Sequence, residues 1–414
     1  MEKVIAVIDL KAFYAYVECV DCGLDPWTTP LVVADKSRSV NTIVLSVTPF
    51  LKSKGVPSRC RLKELPKEYD YIYATPRMSR YIEMSGRITN IFLDFVSEED
   101  LHTYSIDESF LDLTSYIKYY KTTPKELVKR IINKIKEETG LQATGGIGDN
   151  FFLAKIALDI YAKKNKDGIA IVHKEDVPNK LWPITPLSKV WSIGPRMEAR
   201  LNTLGIFNVE QLAKSNRQFI HNKFGIMGDQ LVDLANGIDE SDIRETYVPK
   251  EKSLTLGQTL NKNYSVEEAE VIIREMVDDL AIRMRNHHYV CSTVFLYVGY
   301  ASNQGGFARS LSLLSCSDDT ENLKSAILAL YYKNVIDKPI RRLSICFGKL
   351  SAAPKFQQLS LFIDSKELEK RHNLQLATDA IYHQFGKDAL LKASALLECS
   401  TIKERHNQIG GHRR

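Results

Sequence analysis

Hydrophobic periodicity along the chain predicts a mixture of strands and helices. Residues 4–8 form a short continuous apolar run, typical of a strand buried on both faces, and residues 11–18 after it have helical character. Residues 26–66 contain short apolar segments broken by Pro and Gly, which predicts a small insertion. Amphipathic helices are predicted over 79–95 and 124–138. The apolar positions of the first of these helices are Ile82, Ile88, Ile91, Phe92 and Phe95.

Residues 102–113 predict a hairpin with a two-residue acidic tip, Asp107 and Glu108. Tyr104 and Ile106 alternate with polar residues before this tip, and apolar residues follow it. Adjacent carboxylates repel each other, so the hairpin gains nothing from the second one unless a cation binds there. Taken alone, the stretch is also typical of an ordinary polar turn.

Two further stretches of the first half carry candidate chemistry. Asp9 follows the first apolar run, where a carboxylate either caps the next helix or projects from a strand end into a cleft. Residues 144–148 predict a Gly-rich turn that feeds a helix over 150–157, an arrangement that can cradle phosphate. Lys155 in that apolar helix has an ordinary alternative role, in which its ammonium group reaches the surface. With a strand over 168–172, the pattern indicates an antiparallel-rich α/β sheet covered by helices.

Residues 191–206 resemble a helix-hairpin-helix, in which the turn around Gly194 offers backbone N–H groups to a DNA phosphate. A plain corner between two helices of a small helical domain is the alternative. The next hundred residues predict a βαββαβ unit. Its strands are predicted over 254–260, 290–300, 307–315 and 340–347, and its helices over 266–286 and 320–335. The final residues, 366–414, are predicted to be helical.

Charges divide unevenly between the helices and strands of the βαββαβ unit. Acidic residues lie on its helices, and basic residues lie on or beside its strands: Lys252, Lys262, Arg309, Arg341 and Arg342. This asymmetry indicates that the sheet faces a polyanion, although a solvated sheet face has the same pattern.

Composition narrows the class of protein. The 414 residues carry a formal net charge of +5, which permits a nucleic-acid partner, and the length predicts two to four domains. The 7 cysteines are scattered and odd in number, as expected of reduced thiols in a cytosolic protein. We find no signal-peptide pattern and no apolar run of membrane-spanning length, so no membrane partner is expected.

Three motifs together resemble the Y-family translesion DNA polymerases, in particular their UmuC-like bacterial branch. They are Val7-Ile8-Asp9 with residues 12–18, Tyr104-Ser105-Ile106-Asp107-Glu108-Ser109-Phe110-Leu111-Asp112, and Gly146-Ile147-Gly148 with residues 153–157. The resemblance covers essentially the whole chain. It implies an α+β multidomain right-hand polymerase with a ferredoxin-like palm (1–22 and 77–167), small fingers (23–76), a helical helix-hairpin-helix thumb (168–240), a βαββαβ little-finger domain (245–350) and a C-terminal tail (351–414).

The resemblance also implies roles for single residues. Asp9, Asp107 and Glu108, helped by the backbone carbonyl of Leu10, are expected to hold two Mg²⁺ ions, which prefer oxygen ligands. The nucleotide-binding residues are expected to be Phe13, Tyr14 as the steric gate against a 2′-hydroxyl, Lys52 and Lys155. For Phe13, more than for Tyr14, a role in the hydrophobic core remains an alternative. Lys52 stands where many members have Arg, and the neighbouring Tyr of the family is absent.

The implied function is low-fidelity, template-directed synthesis past damaged bases during the SOS response, by a cytoplasmic, nucleoid-associated enzyme. Its implied partners are primer-template DNA, dNTP, damage-response accessory proteins and the bacterial sliding clamp. DNA contacts are expected at Gly194, Arg309, Arg341 and Arg342. The clamp-binding segment is expected at Gln358, Leu359, Ser360, Leu361 and Phe362, where apolar side chains would fill a clamp pocket. The alternatives are a catalytically inactive, DNA-bound recruitment subunit and a nucleotidyl cyclase with a similar palm.

Overall fold

The computed structural model describes residues 3–245, 248–353 and 365–414. Contacts between residues divide the chain into two compact units, Met1–Tyr247 and Val248–Arg414. No helix within the described ranges is long and apolar enough to cross a membrane. The secondary structure mixes helices and strands throughout, as the periodicity predicts.

The first unit holds eight strands and ten α-helices among its described residues. The strands are β1 (Ile5–Leu10), β2 (Leu31–Val33), β3 (Ser46–Val47), β4 (Ile72–Ala74), β5 (Leu101–Thr103), β6 (Glu108–Asp112), β7 (Ala143–Gly148) and β8 (Ile169–Val172). The helices are α1 (Phe13–Asp21), α2 (Pro49–Ser53), α3 (Met78–Leu93), α4 (Thr114–Tyr119), α5 (Pro124–Thr139), α6 (Phe151–Ile156), α7 (Pro195–Asn202), α8 (Val209–Ala213), α9 (Arg217–Phe224) and α10 (Ile226–Ala235).

The principal sheet of this unit has the strand order β5-β6-β1-β7-β8. Every neighbouring pair is antiparallel except β7 with β8, which is parallel. The central strand β1 is almost wholly buried, in agreement with the apolar run that predicts it. The strand β8 belongs to this sheet, although the prediction assigns residues from 168 onwards to the following helical region.

The predicted Gly-rich turn at 144–148 is wrong, because these residues form the strand β7 between β1 and β8. The glycines instead allow the following helix to lie directly on the strand. A Cβ atom on Gly146 would lie 2.2 Å from the carbonyl oxygen of Ala154, and one on Gly148 would lie 2.4 Å from the backbone nitrogen of the same residue. Both distances are far below van der Waals contact, so the packing of α6 on β7 excludes any side chain at these positions.

The helices α3 and α5 cover the sheet as amphipathic helices, and their bounds match the prediction closely. In α5 the side chain of Thr123 accepts a hydrogen bond from the Glu126 backbone N–H, and Pro124 occupies the first turn. In α3 the predicted apolar position Ile82 is wrong, since its side chain is exposed. Tyr81 is fully buried in its place, whereas Ile88, Ile91 and Phe92 are buried as predicted.

The predicted insertion is a three-stranded sheet of order β3-β2-β4 with the short helix α2. It has a small core of its own, which includes Val32, Val44 and Leu51. The helices α7 to α10 share a larger core with α6. That shared core fixes α6, and therefore Lys155, between the principal sheet and the helical region.

The second unit contains the predicted βαββαβ succession. Its strands are β9 (Leu254–Tyr264), β10 (Tyr289–Tyr300), β11 (Gly306–Ser317), β12 (Ile340–Gly348) and β13 (Ser351–Ala352), and its first helices are α11 (Val266–Asn286) and α12 (Thr320–Asn334). The antiparallel sheet has the order β11-β10-β12-β9. Both helices pack on one face of it, over a core that includes Leu296, Leu343 and Ile345.

The tail after the little-finger region packs on the helices of this unit. The helix α13 (Ser365–Phe385) is fastened by Asp379, which lies 2.6 Å from the guanidinium of Arg285. Further on, Arg405 forms a 2.6 Å ion pair with Asp279 of α11.

The prediction that the tail is helical to its end is wrong beyond Phe385. The chain turns at Gly386, whose positive φ of 89° ends a helix readily. After it come a 3₁₀ turn at Ala393–Leu396, the short helix α14 (Ile402–His406) and the short strands β14 (Gln408–Ile409) and β15 (His412–Arg413).

We expect Gly146→Ala to lower the free energy of unfolding by about 2 kcal/mol or more, because the added methyl group forces α6 away from β7. Gly86→Ala is the matched control, since Gly86 lies in the exposed middle of α3 and an added Cβ there meets nothing within 4 Å. That control should gain about 0.5–1 kcal/mol from helix propensity. Chemical denaturation measures both, and similar changes in the two variants would contradict the close-packing account.

Candidate functional site

The pairing of β1 with β6 places Asp9 directly opposite Glu108. Side chains of directly opposed residues in an antiparallel pair point to the same face, so the two carboxylates share one end of the sheet. Asp107 immediately precedes Glu108, and its backbone carbonyl accepts a 2.9 Å hydrogen bond from the N–H of Leu10. Asp9 is not the N-cap of α1, which is Ala12, so the capping role is wrong.

The acidic tip differs from the prediction in its boundaries. Residues 104–107 form the turn, and Glu108 is the first residue of β6. The backbone N–H groups of Tyr104 and Ser105 both donate to the Glu108 carbonyl at 3.0 Å, which closes the turn. The Ser105 hydroxyl donates to Asp107 Oδ1 at 2.7 Å, so the side chain of Asp107 is held by its own turn.

An aromatic cluster supports this turn from outside. The Tyr104 ring packs edge-on against Phe110 and Trp191, with centroid distances of 5.7 and 6.0 Å. The indole N–H of Trp191 donates to the Tyr104 hydroxyl at 3.3 Å. The turn that carries Asp107 is therefore in contact with the segment that leads to α7.

Lys155 forms a buried ion pair with Glu108. Its ammonium nitrogen lies 2.7 Å from Oε1 and 2.8 Å from Oε2 of Glu108, and 3.1 Å from Asp159. Both side chains of the Lys155–Glu108 pair are only 8 % exposed, so the alternative of a lysine that reaches the surface is wrong. Burial raises the pKa of Glu108, and the hydrogen bond from Lys155 opposes that rise.

A second lysine, Lys163, neutralises Asp9. Its ammonium nitrogen lies 3.3 Å from Asp9 and 2.7 Å from Asp159. Burial raises the pKa of Asp9, Lys163 opposes that rise, and repulsion from Asp107 adds to it. The sequence analysis missed Lys163 and Asp159. Lys155, Asp159 and Lys163 are spaced four residues apart, and this spacing is the sequence feature that could have identified them. The segment contains a π-helical turn at Ala157–Tyr161, and the three side chains lie on one side of the chain.

Tyr14 lies beside the carboxylates, at the start of α1. Its ring is half-buried, burial raises its pKa, and the nearby charge of Asp107 raises it further. Phe13 is 2 % exposed and packs against Tyr81, as its alternative role in the core expects, and its contact with nucleotide stays a prediction. Tyr14 is thus the aromatic side chain of this pair that borders the site.

The predicted phosphate ligand Lys52 lies on α2, on the insertion side of the site. Desolvation lowers its pKa, while attraction to Asp9 and Asp107 opposes that effect. Arg59, whose φ is 63°, also acts on this region, since its charge lowers the pKa of Tyr14. Lys52 and Arg59 therefore bring positive charge towards the same carboxylates from the small sheet.

The predicted DNA contacts of the second unit do not all lie on one face of its sheet. Gly194 is the N-cap of α7, as the helix-hairpin-helix interpretation requires. In the second unit Arg342 pairs with Gly299 and Thr259, on the face of the sheet opposite to the helices. Arg309 pairs with the buried Leu296 and therefore projects on the helix-covered face. The prediction that these arginines face a polyanion together is wrong for Arg309.

Two further predictions concern Arg341 and the clamp-binding segment. Arg341 is half-exposed within the irregular pairing between Ile340 and Arg342. The predicted clamp-binding residues, 358–362, lie outside the described residues.

The carboxylate end of the sheet has the donor chemistry that a hard divalent cation requires. Asp9, Asp107 and Glu108 supply oxygen ligands, and Glu108 Oε1 is buried without a well-directed hydrogen bond from any described residue. In the arrangement described, two lysine ammonium groups occupy the space against Asp9 and Glu108. Among the described residues, no three acidic, His or Cys side chains converge as a formed metal site.

Comparison with known proteins decides the family. The model described as the impB/mucB/samB family matches residues 8–159, its C-terminal domain matches 251–361, and the helix-hairpin-helix motif of the same family matches 174–206. The chain belongs to the impB/mucB/samB family and is a Y-family DNA polymerase. The helix-hairpin-helix prediction is therefore confirmed, and the predicted family and enzyme class are confirmed with it.

Curated relatives match this polymerase over its whole length. A protein named UV-damage repair protein UvrX from Bacillus subtilis (strain 168) is 39% identical, covering 99% of this chain and 98% of that protein. DNA polymerase IV 2 of the same organism is 34% identical over 99% of both chains. A second DNA polymerase IV 2, from Halalkalibacterium halodurans, is 30% identical over 100% of both. The names of these relatives agree with the DNA-repair theme of the sequence analysis.

We expect Lys155→Met to lower the free energy of unfolding by about 3–5 kcal/mol, because it leaves the buried Glu108 carboxylate without its partner. Lys163→Met is the matched control: its ammonium group pairs with Asp9 and Asp159, but its side chain is 42% exposed, so its loss should cost about 1 kcal/mol or less. Chemical denaturation in the presence of a chelator measures both. Equal losses would contradict the assignment of Lys155 as the buried partner.

Proposed function

We propose that this Y-family polymerase copies damaged template DNA with low fidelity, by two-metal nucleotidyl transfer at Asp9, Asp107 and Glu108. Family membership implies DNA and dNTP substrates and a general dependence on a divalent metal. The observation that carries the proposal is the strand register that sets Asp9 opposite Glu108, with Asp107 beside them. Asp9 and Glu108 are buried carboxylates on one face of the sheet end, and the charge of Asp107 acts on Asp9, so bound cations would relieve the repulsion among them.

In the proposed mechanism the carboxylates hold the cations and the neighbouring side chains orient the substrates. Bound Mg²⁺ would activate the primer 3′-hydroxyl and neutralise the pyrophosphate leaving group. Asp9 and Asp107 would hold both ions, the backbone carbonyl of Leu10 would help to hold the nucleotide-side ion, and Glu108 would serve chiefly the primer-side ion. Hydrogen bonding of Asp107 by Ser105 and pairing of Glu108 with Lys155 pre-orient those carboxylates before substrates bind.

Lys163 is better suited than Lys155 to the triphosphate. Lys155 is enclosed between Glu108 and Asp159, whereas the Lys163 side chain is 42% exposed and lies at Asp9. Lys163 can therefore leave Asp9 for a phosphate without uncovering a buried carboxylate. In primer extension, Lys163→Met should raise the KM for dNTP, and an unchanged KM would remove it from this role.

Recruitment by the sliding clamp remains part of the proposal on sequence grounds. The apolar side chains of Leu359, Leu361 and Phe362 match a clamp-binding pentapeptide. Tethering raises the effective concentration at the primer end, which compensates for a formal charge of only +5. Added clamp should therefore lengthen the products of the wild-type enzyme but not those of Phe362→Ala.

We expect Asp107→Ala and Glu108→Ala each to reduce primer extension at least about a hundredfold, because each removes a carboxylate ligand of the proposed two-ion site. Gel analysis of a primed template with dNTP and Mg²⁺ measures the loss. Binding of the same DNA, followed by fluorescence anisotropy, is the control and should change little. Extension by either variant at the wild-type rate would refute the carboxylate assignment, and DNA binding without extension by the wild-type protein would favour a recruitment subunit.

We expect Tyr14→Ala to incorporate ribonucleotides much more readily than the wild-type enzyme, because the ring proposed to collide with the 2′-hydroxyl is gone. Single-turnover insertion of dCTP and of CTP opposite the same template base gives the ratio of kcat/KM values. Tyr16→Phe, on the same helix but in the core, provides the control and should retain the wild-type ratio. If sugar selectivity is unchanged in Tyr14→Ala, Tyr14 is not the gate.

A further inference from the structure

Tyr81 lies directly behind the proposed steric gate. It projects from α3 into the interface with α1 and is 0% exposed. Its ring centroid is 4.7 Å from that of Tyr14 and 6.3 Å from that of Phe13. The gate ring is thus supported by a second aromatic ring that is itself fully buried.

The position of Tyr81 is fixed by a hydrogen bond as well as by packing. Its hydroxyl donates to Glu18 Oε1 at 2.6 Å, in the buried interior. Burial and the adjacent Glu18 carboxylate raise the pKa of Tyr81 above its ordinary range, so the phenol remains a neutral donor. Glu18 follows Tyr14 by one helical turn on α1, which ties the supporting ring to the helix that carries the gate.

Arg77 completes this connection between the two helices. Its guanidinium donates to both carboxylate oxygens of Glu18, at 3.0 and 2.8 Å, and to Asp21 at 2.8 Å. Arg80, one turn further along α3, donates to the same Asp21. Bidentate contacts of this kind restrict orientation as well as distance, so α1 and α3 are held in one relative position.

We infer that Tyr81 is a positioning residue for sugar discrimination, acting through Tyr14. The inference rests on the proposed role of Tyr14 as the gate and extends it to a residue that does not itself touch the nucleotide. A gate rejects a 2′-hydroxyl only if the ring cannot move aside, because rejection relies on a steric clash. Tyr81, held in place by its hydrogen bond to Glu18, blocks the movement of the Tyr14 ring away from a 2′-hydroxyl.

The experiment compares insertion of dCTP and CTP by Tyr81→Leu, Tyr81→Phe and the wild-type enzyme. Tyr81→Leu should lower the dCTP/CTP ratio of kcat/KM values by about tenfold, the scale of one aromatic pair. Most of the change should be faster CTP insertion, with kcat/KM for dCTP altered by no more than about threefold. Tyr81→Phe keeps the ring and loses only the hydroxyl anchor, so it should restore most of the selectivity and remains informative if the leucine variant folds poorly.

Met84→Ala is the matched control for loss of packing in α3. Met84 is buried one turn after Tyr81, with no ring contact to Tyr14, so this variant should destabilise the fold and leave the dCTP/CTP ratio unchanged. An equal loss of selectivity in Met84→Ala and Tyr81→Leu would overturn the inference, as would an unchanged ratio in Tyr81→Leu.

The double variant Tyr14→Ala/Tyr81→Leu separates failure of this inference from failure of the gate. If Tyr81 acts through Tyr14, the double variant should have the ratio of Tyr14→Ala alone. A further fall in the double variant would show an independent action of Tyr81 and contradict the inference. If Tyr14→Ala itself leaves selectivity intact, the gate assignment fails, whatever the Tyr81 variants do.

Discussion

The antiparallel pairing of β1 with β6 sets the positions of the catalytic candidates, because it aligns Asp9 with Glu108. A shift of this pairing by one residue would turn one of the two carboxylates to the opposite face of the sheet. The pairing is enforced from both sides, by the buried apolar residues of β1 and by the hydrogen bond from Leu10 to Asp107. On the far side of β1, the glycines of β7 let α6 approach closely enough for Lys155 to reach Glu108.

The charges at this site are balanced in pairs of unequal strength. The Lys155–Glu108 pair is enclosed and fixes its carboxylate, while Lys163 is partly exposed and can exchange its partner. Asp159 contacts both lysines, so one carboxylate bridges and orients the two ammonium groups. Desolvated carboxylates with raised pKa values destabilise a folded protein, and their retention here is typical of sites in which stability is traded for activity.

Periodicity predicted the second unit closely, from strands β9 to β12 and helices α11 and α12, because both the strands and the helices are long and have one buried face. The adjacent acids Asp107 and Glu108 have a local signature in the sequence, whereas Asp9 was joined to them only by the resemblance to the Y-family polymerases, and the pairing of β1 with β6 does place Asp9 opposite Glu108. The strand β7 was taken for a turn, because its glycines serve contacts with a helix that only the folded chain brings near. The burial of Phe13 and the sheet face of Arg309 escaped the sequence for a related reason, since both depend on partners distant in sequence. Lys163 lay beyond the recognised motif, which ends at Ala157, and its pairing with Asp9 depends on the folded chain.

The contact between Trp191 and Tyr104 gives the protein an internal optical probe. The chain has 3 tryptophans, and Trp191 is the one whose indole N–H is bonded to the turn that carries Asp107. Indole emission responds to hydrogen bonding and to nearby polar groups. Movement of that turn relative to the segment before α7 therefore changes a spectroscopic signal native to the chain, without an attached label.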